Sequence, residues 1–304
     1  MPSTITHTYI SLDTLKKIKN SPKKIIEKYI EDYKTFAQGM DILYFYHIFS
    51  FKKSYVECLG HKFHNYKTNE VFKYIIEQNK RNKSKMIFTF LAGLITHYVA
   101  DSTIHPYVNY LAKNDNPLLQ RDKHFEIETV LDNYMVNKNN GYYKKFKNYK
   151  LQFNNKRNQE IINLINNIFE KFFNTKNIGK KYYHSIKEMK FTFRFIRFDR
   201  FGIKRKIFKL IDKNKLKVRR TKYLSYNFNL NNLDFYLNSN NKEWYNIKDK
   251  NIKSNLSFNE LYKNVVEKAS NIINNLYDYI YLNKEVDLDK LLENKSYSTG
   301  LVLK

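Results

Sequence analysis

Three potential metal ligands lie in one apolar stretch, FLAGLITHYVADSTIHPY, which occupies residues 90–107. They are His97, Asp101 and His105, at the spacing i, i+4, i+8. On a helix, each step of four residues turns the side chain by only about 40°, so all three would project from one face. Imidazole and carboxylate groups on neighbouring turns can bind the same zinc ion. The alternative is a hydrogen-bonded set of side chains inside a helical core.

A second segment carries the same spacing. His124, Glu128 and Asp132 would share one face of a helix that we expect to begin near Asp122. A single histidine among aromatic residues is more often a core side chain than a ligand, but two such faces together favour metal binding. Eight nitrogen and oxygen ligands exceed the four of a tetrahedral zinc site, which predicts two or three ions. The eight candidates are His7, Asp41, His64, His97, Asp101, His105, His124 and Glu128.

The composition predicts which kind of element positions these ligands. Only 7 Gly and 4 Pro occur among 304 residues, and 42% of the residues are hydrophobic. Such a composition favours long helices around a core over a loop-rich β architecture. We therefore predict an all-α fold, with residues 1–304 in a single multi-helix domain. The ligand core would occupy residues 1–175, and a helical, loop-containing extension would occupy residues 176–304.

Local signals predict several boundaries. Pro106 disfavours helical geometry at the preceding residue, so His105 should lie in the last turn of the central helix. Residues 1–11 are polar and predicted to be irregular, with Asp13 as the N-cap of the first helix. Residues 216–256 show no clear period and are predicted to be loop-rich. Further helices are expected at residues 158–174, 182–200, 203–215 and 257–283.

The chain is strongly basic, with 55 Lys and Arg against 29 Asp and Glu, a formal charge of +26 and an isoelectric point near 9.7. Residues 180–222 contain 17 Lys and Arg against three acids. This segment is either a surface that attracts an anionic headgroup or nucleic acid, or an ordinary solvated surface. Three of its phenylalanines share one helical face, which we expect to be core, and three of its arginines line another. The two sets are Phe191, Phe195 and Phe198, and Arg194, Arg197 and Arg200.

Other features narrow the class of protein. The single cysteine, Cys58, excludes an internal disulfide and a cysteine-cluster zinc site. The N-terminal segment has no basic start followed by an apolar core, so we expect no secretory signal and a cytoplasmic location. The longest apolar stretch, residues 86–100, contains His97 and two Thr residues, and it is predicted to be too short to span a bilayer.

The order of the candidate ligands resembles that of the zinc-dependent phospholipase C family. The chain is similar to bacterial members that open MP-x-x-x-TH, here MPSTITH, and contain QG-x-DILYFY, G-x-x-FH and HY-x-x-D-x-x-x-HPY. H-x-E-I-E follows, and then DRFGI at residues 199–203 and SF-x-x-LY at residues 257–262. The resemblance covers nearly the whole chain. It implies the all-α fold and trinuclear zinc centre that this family shares with fungal and plant zinc nucleases.

The resemblance also implies how the ligands are shared. His64 is preferred to His61, because the family's histidine follows the glycine, here Gly60, by four residues. Asp41 is the implied catalytic residue, either as general base or as a ligand that orients water. The implied sites are Asp41, His64, His97 and Asp101 for one zinc, His105, His124 and Glu128 for a second, and His7 with bridging Asp101 for a third.

The function implied by the resemblance is phospholipase C-like hydrolysis of a phosphodiester. Water activated at a two- or three-zinc centre would attack phosphorus in a substrate such as a phospholipid headgroup, with peripheral contact to an anionic membrane. Two alternatives stay open. One is a nuclease or phosphomonoesterase on the same metals, and the other is a non-catalytic lipid-surface scaffold that the metals stabilise. An open coordination position would distinguish catalysis from scaffolding.

Overall fold

A computed structural model of the protein describes residues 4–50, 54–139, 158–195, 199, 202–214 and 232–303. Helices dominate these residues, with one small antiparallel hairpin, which confirms the all-α prediction. In chain order the elements are α1 (Thr4–Lys17), α2 (Asn20–Lys28), α3 (Ile30–Phe36), a 3₁₀-helix (Gly39–Phe45), α4 (Tyr55–Phe63), α5 (Thr68–Asn82), α6 (Lys85–Ala112), α7 (Pro117–Lys138), α8 (Gln159–Phe173), α9 (Ile178–Phe195), α10 (Ile203–Asn214), α11 (Leu233–Leu237), β1 (Trp244–Asn246), β2 (Asp249–Ser254), α12 (Phe258–Tyr281) and α13 (Leu288–Leu292).

Helix α6 lies at the centre of the fold, and α12, α3, α7 and α1 pack around it. A Cβ atom at Gly93 would come within 2.6 Å of the Cβ of Phe36, so a glycine is needed for α3 to approach α6 this closely. Helix α6 is long and apolar enough to cross a membrane by length and composition. It extends beyond residues 86–100, the apolar stretch that was predicted to be too short to span a bilayer. However, 94% of its apolar window is buried inside the protein. Helix α6 is therefore the core helix of the fold.

Helix α6 continues past Pro106 to Ala112, so the prediction that His105 lies in its last turn is wrong. Proline lacks the N–H that would bond the carbonyl four residues earlier, which here belongs to Ser102. Gly300 packs so tightly here that a Cβ atom on it would overlap the Ser102 carbonyl oxygen and contact the Pro106 ring. Local propensity disfavours this helical turn, and a residue from the C-terminal part of the chain packs directly against it.

The N-terminal boundaries of two helices also differ from prediction. Helix α1 begins at Thr4, so this part of the chain is not irregular, and Asp13 lies within the helix instead of capping it. Helix α7 begins at Pro117 instead of near Asp122. The reason is local, because the Asn116 side chain accepts a hydrogen bond from the Leu118 backbone N–H at 2.9 Å, and proline is favoured in the first turn.

The C-terminal half follows the predicted helices closely. Helices α8, α10 and α12 lie within about two residues of their predicted limits, whereas α9 begins four residues earlier than expected. Between residues 232 and 256 the loop-rich prediction misses α11 and the β1–β2 hairpin, and residues 216–231 lie outside the described part of the chain. Helix α12 packs against α1 and α6, so the extension contacts the ligand core. The assignment of residues 1–304 to one domain stays a prediction.

The phenylalanine face of α9 is not core, contrary to prediction. Phe191 and Phe195 are 49% and 52% exposed. The helix instead buries the face that carries Ile186, Met189 and Phe193, which turns the other two phenylalanines outward. Phe198, Arg197 and Arg200 lie outside the described residues.

Candidate metal centre

The first group of candidate ligands lies where three elements meet. Helix α1 supplies His7, the 3₁₀-helix supplies Asp41, and α6 supplies His97 and Asp101. One ligand atom from each residue lies within 4.8 Å of the others. Asp101 makes the closest contacts, with Oδ1 3.1 Å from His7 Nε2 and Oδ2 3.3 Å from His97 Nε2. The ligand face predicted on α6 thus meets ligands from two other elements.

His64 approaches the same group from the end of α4. Its Nε2 lies 3.4 Å from Asp41 Oδ1 and 3.4 Å from His97 Nε2. His61 lies nearly one turn earlier, and its Nδ1 contacts the Tyr44 hydroxyl at 3.0 Å. This geometry supports His64, in preference to His61, as a ligand.

A 3₁₀-helix residue makes room for this group. Gly39 has a positive φ of 56°, and a Cβ atom there would overlap the imidazole of His97. Only glycine combines this backbone conformation with such a close approach. The turn that carries Asp41 can therefore lie directly against the His97 ring.

The second group consists of His105 from α6 with His124 and Glu128 from α7, whose ligand atoms also lie within 4.8 Å of one another. The Nε2 atoms of both histidines lie 3.2 Å from Glu128 Oε1. His105 Nε2 is also 3.7 Å from Asp101 Oδ1. Asp101, a member of the first group, therefore also lies beside the second group.

The orientation of the histidines fits metal binding. Three of them place Nδ1 in a hydrogen bond outside the cluster, which leaves Nε2 directed towards it. This arrangement is typical of metal-ligating histidines, because the outer hydrogen bond fixes the tautomer and the ring plane. The outer partners are the Tyr44 hydroxyl for His64 at 3.1 Å, the Tyr297 carbonyl for His105 at 2.9 Å, and Asn109 Oδ1 for His124 at 3.0 Å.

The carboxylate of Glu128 also fits a cation site. Its Oε2 atom is buried and has no hydrogen-bond partner among the described residues. A buried carboxylate oxygen without a partner is costly unless a cation binds it. Together with the imidazole nitrogens, this donor set fits zinc.

The carboxylates are held in their ionised form. Burial acts to raise the pKa of each, but neighbouring histidines oppose it. The pKa of Asp101 lies well below its usual range, because the charge of His105 and the hydrogen bond with His7 oppose burial. The pKa of Asp41 is also lowered, and His124 and the hydrogen bond with His105 lower that of Glu128. All three carboxylates can therefore bind cations at neutral pH.

The histidines differ in their pKa values. Burial lowers the pKa of His97 to about 3 and also lowers that of His64. Burial acts in the same direction on His105, but the charge of Asp101 and the hydrogen bond to Glu128 raise its pKa to about 9. His97 and His64 are therefore neutral at pH 7, whereas His105 must lose a proton before its Nε2 can bind a metal.

We expect zinc binding at the second group to strengthen as the pH rises from 7 to 9. Because the pKa of His105 is raised to about 9, a proton competes with zinc for its ring nitrogen below this pH. The apparent affinity should increase about tenfold per pH unit and then level off. Competition with a chromophoric chelator at several pH values measures this, with the relevant ion identified as the one lost in His124→Ala. A flat affinity over this range would contradict it.

Asp132 shares a face with His124 and Glu128 but has a different role. Its carboxylate accepts hydrogen bonds from the backbone N–H of Ile5 at 3.2 Å and of Thr6 at 2.8 Å, and from the Thr6 hydroxyl at 2.7 Å. Asp132 is fully buried. It therefore caps the N-terminus of α1, and this cap holds the turn that carries His7.

Asp132→Ala is expected to lower the free energy of unfolding by about 2–3 kcal/mol, since a buried cap with charge-assisted bonds is lost. It should also release the ion that depends on His7. Urea unfolding and elemental analysis of the zinc-loaded protein measure both effects. Thr6→Val is the matched control, because it removes one of the three bonds and should cost about 1 kcal/mol. An Asp132→Ala protein equal to wild type in stability and metal content would refute this role.

Two residues of the site were given no role by the sequence analysis. Tyr297 follows α13, far beyond the ligand segments, yet its ring centroid lies 4.8 Å from that of His64. Its backbone N–H donates to the His64 carbonyl at 3.1 Å, and its carbonyl accepts from His105. Tyr44, from the motif after Gly39, contacts both His61 and His64. The extension thus helps to position ligands in both groups.

A cleft of about 410 Å³ opens onto both ligand groups. Arg121 and Phe125 of α7 form part of its lining, and the guanidinium carbon lies 5.5 Å from the ring centroid. Two other histidines, His47 and His184, have no counterpart in the family pattern. They contact each other, with ring centroids 5.3 Å apart, and do not line the cleft. The metal-ligand candidates that line the cleft are Asp41, His64, Asp101, His105 and His124.

An all-α protein with two linked groups of candidate imidazole and carboxylate ligands in an open cleft has the features of the class of metal-binding helical proteins. Within that class, the family model for zinc dependent phospholipase C matches residues 6–180. The chain therefore belongs to the zinc-dependent phospholipase C family, which confirms the resemblance over these residues. No curated protein and no solved structure matches the chain.

Proposed function

We propose that this protein is a zinc-dependent phosphodiester hydrolase of the phospholipase C type. The observation that carries the proposal is the position of Asp101 between two ligand groups on the wall of an open cleft. A purely structural zinc site is closed by its four ligands, whereas a catalytic site keeps a position open. Membership of the family supports the class of reaction.

Zinc in this centre would lower the pKa of water and neutralise charge on the phosphate oxygens. We follow the division that the resemblance implies. The first group, with His64, would hold two ions that share Asp101, and the second group would hold one. We assign Asp41, His64, His97 and Asp101 to one zinc, His105, His124 and Glu128 to a second, and His7 with Asp101 to a third.

Asp41 is our candidate catalytic residue. Its side chain is 18% exposed and lines the cleft, so it can contact water there. Because its pKa is lowered in spite of burial, the carboxylate stays ionised. It can then accept a hydrogen bond from the attacking water and orient it towards phosphorus.

Arg121 is proposed to bind the substrate in the same cleft. It lines the cleft three residues before His124, and its guanidinium lies over the Phe125 ring. A guanidinium forms paired hydrogen bonds with two phosphate oxygens, and stacking on an aromatic ring reduces its freedom. This side chain would hold the phosphate while Asp41 orients water.

The proposal is tested with zinc-loaded protein and soluble short-chain phosphatidylcholine, with release of phosphocholine as the readout. Hydrolysis that is lost on chelation and reduced in Asp41→Asn supports it. Asp289→Asn, a solvent-facing carboxylate bound to Lys73, is the matched control and should behave as wild type. A fully zinc-loaded protein that hydrolyses neither this lipid nor bis(p-nitrophenyl) phosphate would refute the proposal and favour a scaffold.

A nuclease or phosphomonoesterase on the same centre is the second candidate, because of the Arg121–Phe125 pair. A cation beside an aromatic ring offers a site for a further phosphate and a platform for a base. The same preparation should be assayed on phosphatidylcholine, p-nitrophenyl phosphate and a single-stranded oligonucleotide. Preference for the oligonucleotide or the monoester would replace the phospholipase assignment while keeping the metal centre.

A further inference from the structure

Helix α10 presents an apolar stripe that the described structure leaves open to solvent. Ile203, Ile207 and Leu210 are 58%, 51% and 61% exposed. At 100° per residue the three side chains fall within an arc of about 60° on one side of the helix. Apolar side chains arranged in this way on a helix surface normally face a core or a partner.

A second exposed apolar group lies at the end of α9. Phe191 contacts Phe195, with ring centroids 4.9 Å apart, and Phe49, with ring centroids 5.7 Å apart. All three side chains are about half exposed. Helix α10 is joined to this end of α9, because Lys204 Nζ donates to the Phe195 carbonyl at 2.7 Å. The two groups therefore belong to neighbouring ends of α9 and α10.

Basic residues border both groups. On α10, Lys204 and Lys206 lie on either side of the apolar stripe, and Lys209 and Arg205 lie further round the helix. On α9, exposed Lys187, Lys190 and Arg194 accompany the phenylalanines. Two acids of this region are already engaged, since Glu188 accepts from the Ile48 N–H and Asp199 from the Arg205 N–H. The surface is thus apolar at its centre and positive at its borders.

One residue of α10 lies within electrostatic reach of α7, the helix that carries His124 and Glu128. Burial acts to raise the pKa of Glu126 on α7, and its bonds to Tyr236 and Lys123, with the charge of Arg205, lower it. Arg205 on α10 is therefore within electrostatic reach of α7. Helix α7 also carries Leu118 and Leu119, which are more than half exposed, in the turn beside the cleft.

We propose that the ends of α9 and α10 bind the surface of an anionic lipid bilayer, with the apolar side chains inserted among the lipids and the basic residues at the headgroups. Amphipathic helices bind membranes by this combination of buried apolar area and attraction to anionic lipid. Nucleic acid would use the charges but would leave the aliphatic stripe in water. A second copy of this chain would bring two positive surfaces together. The bilayer satisfies both features.

The experiment is flotation of the zinc-loaded full chain with vesicles of phosphatidylcholine, with and without phosphatidylglycerol. We expect binding to the anionic vesicles, weaker binding to the neutral ones, and binding that falls with added salt. The combined change Ile203→Ser, Ile207→Ser and Leu210→Ser should reduce the partition coefficient about tenfold or more. The combined change Lys204→Gln, Lys206→Gln and Lys209→Gln should weaken binding to anionic vesicles in particular.

Two matched controls isolate the surface. Leu282→Ser with Val302→Ser changes exposed apolar residues elsewhere, and Lys248→Gln, Lys250→Gln and Lys263→Gln removes the same charge elsewhere. Both should bind as wild type, and circular dichroism should show an unchanged fold in every variant. Hydrolysis of a soluble phosphodiester is measured separately, so vesicle binding without hydrolysis would refute only the proposed function.

Three outcomes would overturn the membrane proposal. The first is wild-type binding to anionic vesicles no stronger than to neutral ones. The second is binding that the α10 serine variant retains in full. The third is a dimer, found by analytical ultracentrifugation, that the same serine variant abolishes, which would assign the stripe to self-association.

Discussion

Asp101→Asn is expected to lose bound zinc and hydrolytic activity together. Its two carboxylate oxygens contact His7, His97 and His105, so one substitution removes charge from both ligand groups. The amide keeps the size of the side chain but replaces one oxygen and the negative charge. We expect a loss in kcat/KM of about a thousandfold or more, since the loss of one stabilising hydrogen bond at an active site already costs about a hundred- to a thousandfold.

The measurement for Asp101→Asn is elemental analysis alongside the phosphodiester assay. Asp289→Asn is again the control. It makes the same chemical change at a surface carboxylate, which pairs with Lys73 instead of a candidate ligand. Thermal unfolding of both variants shows whether the loss follows from a change in fold. Full metal content and full rate in Asp101→Asn would disprove its role as the shared ligand.

Removal of zinc is expected to abolish hydrolysis and to destabilise the protein. A ligand present at about a thousand times its Kd stabilises the folded state by about 4 kcal/mol. For a chain of this size, each such ion should therefore raise the Tm by about 6 °C. Without the ions, the buried carboxylates are compensated only by their histidine partners, and Glu128 Oε2 has no partner among the described residues.

Thermal unfolding by circular dichroism, before and after chelation, measures this effect. Return of zinc should restore both Tm and activity, whereas magnesium should not, because imidazole ligands favour zinc. His97→Ala should fail to recover, and His184→Ala, a histidine outside the two groups, should recover as wild type. An unchanged Tm and rate after verified removal of zinc would refute a metal centre in this cleft.

The all-α fold and the set of candidate ligands could be predicted from the sequence, because both depend on short-range patterns. The i, i+4, i+8 spacing of His97, Asp101 and His105 is sufficient to place them on one face of any helix. The scarcity of Gly and Pro is sufficient to predict long helices. The family motifs added the remaining ligands, and the structure brings all eight candidates into two adjoining groups.

Tertiary structure decided what each face does. His124, Glu128 and Asp132 have the same periodicity, but only the packing of α1 against α7 makes Asp132 a helix cap instead of a ligand. Pro106 should end a helix by local propensity, yet packing around Gly300 accompanies its continuation.

The periodicity of Phe191 and Phe195 likewise predicted an amphipathic helix but not which face is buried. That choice depends on the elements that α9 meets. In the same way, Tyr297 contacts His64 and His105 only because the chain returns to the cleft 192 residues after His105. Sequence by itself determined the available ligands and helices, and long-range packing determined which of them meet.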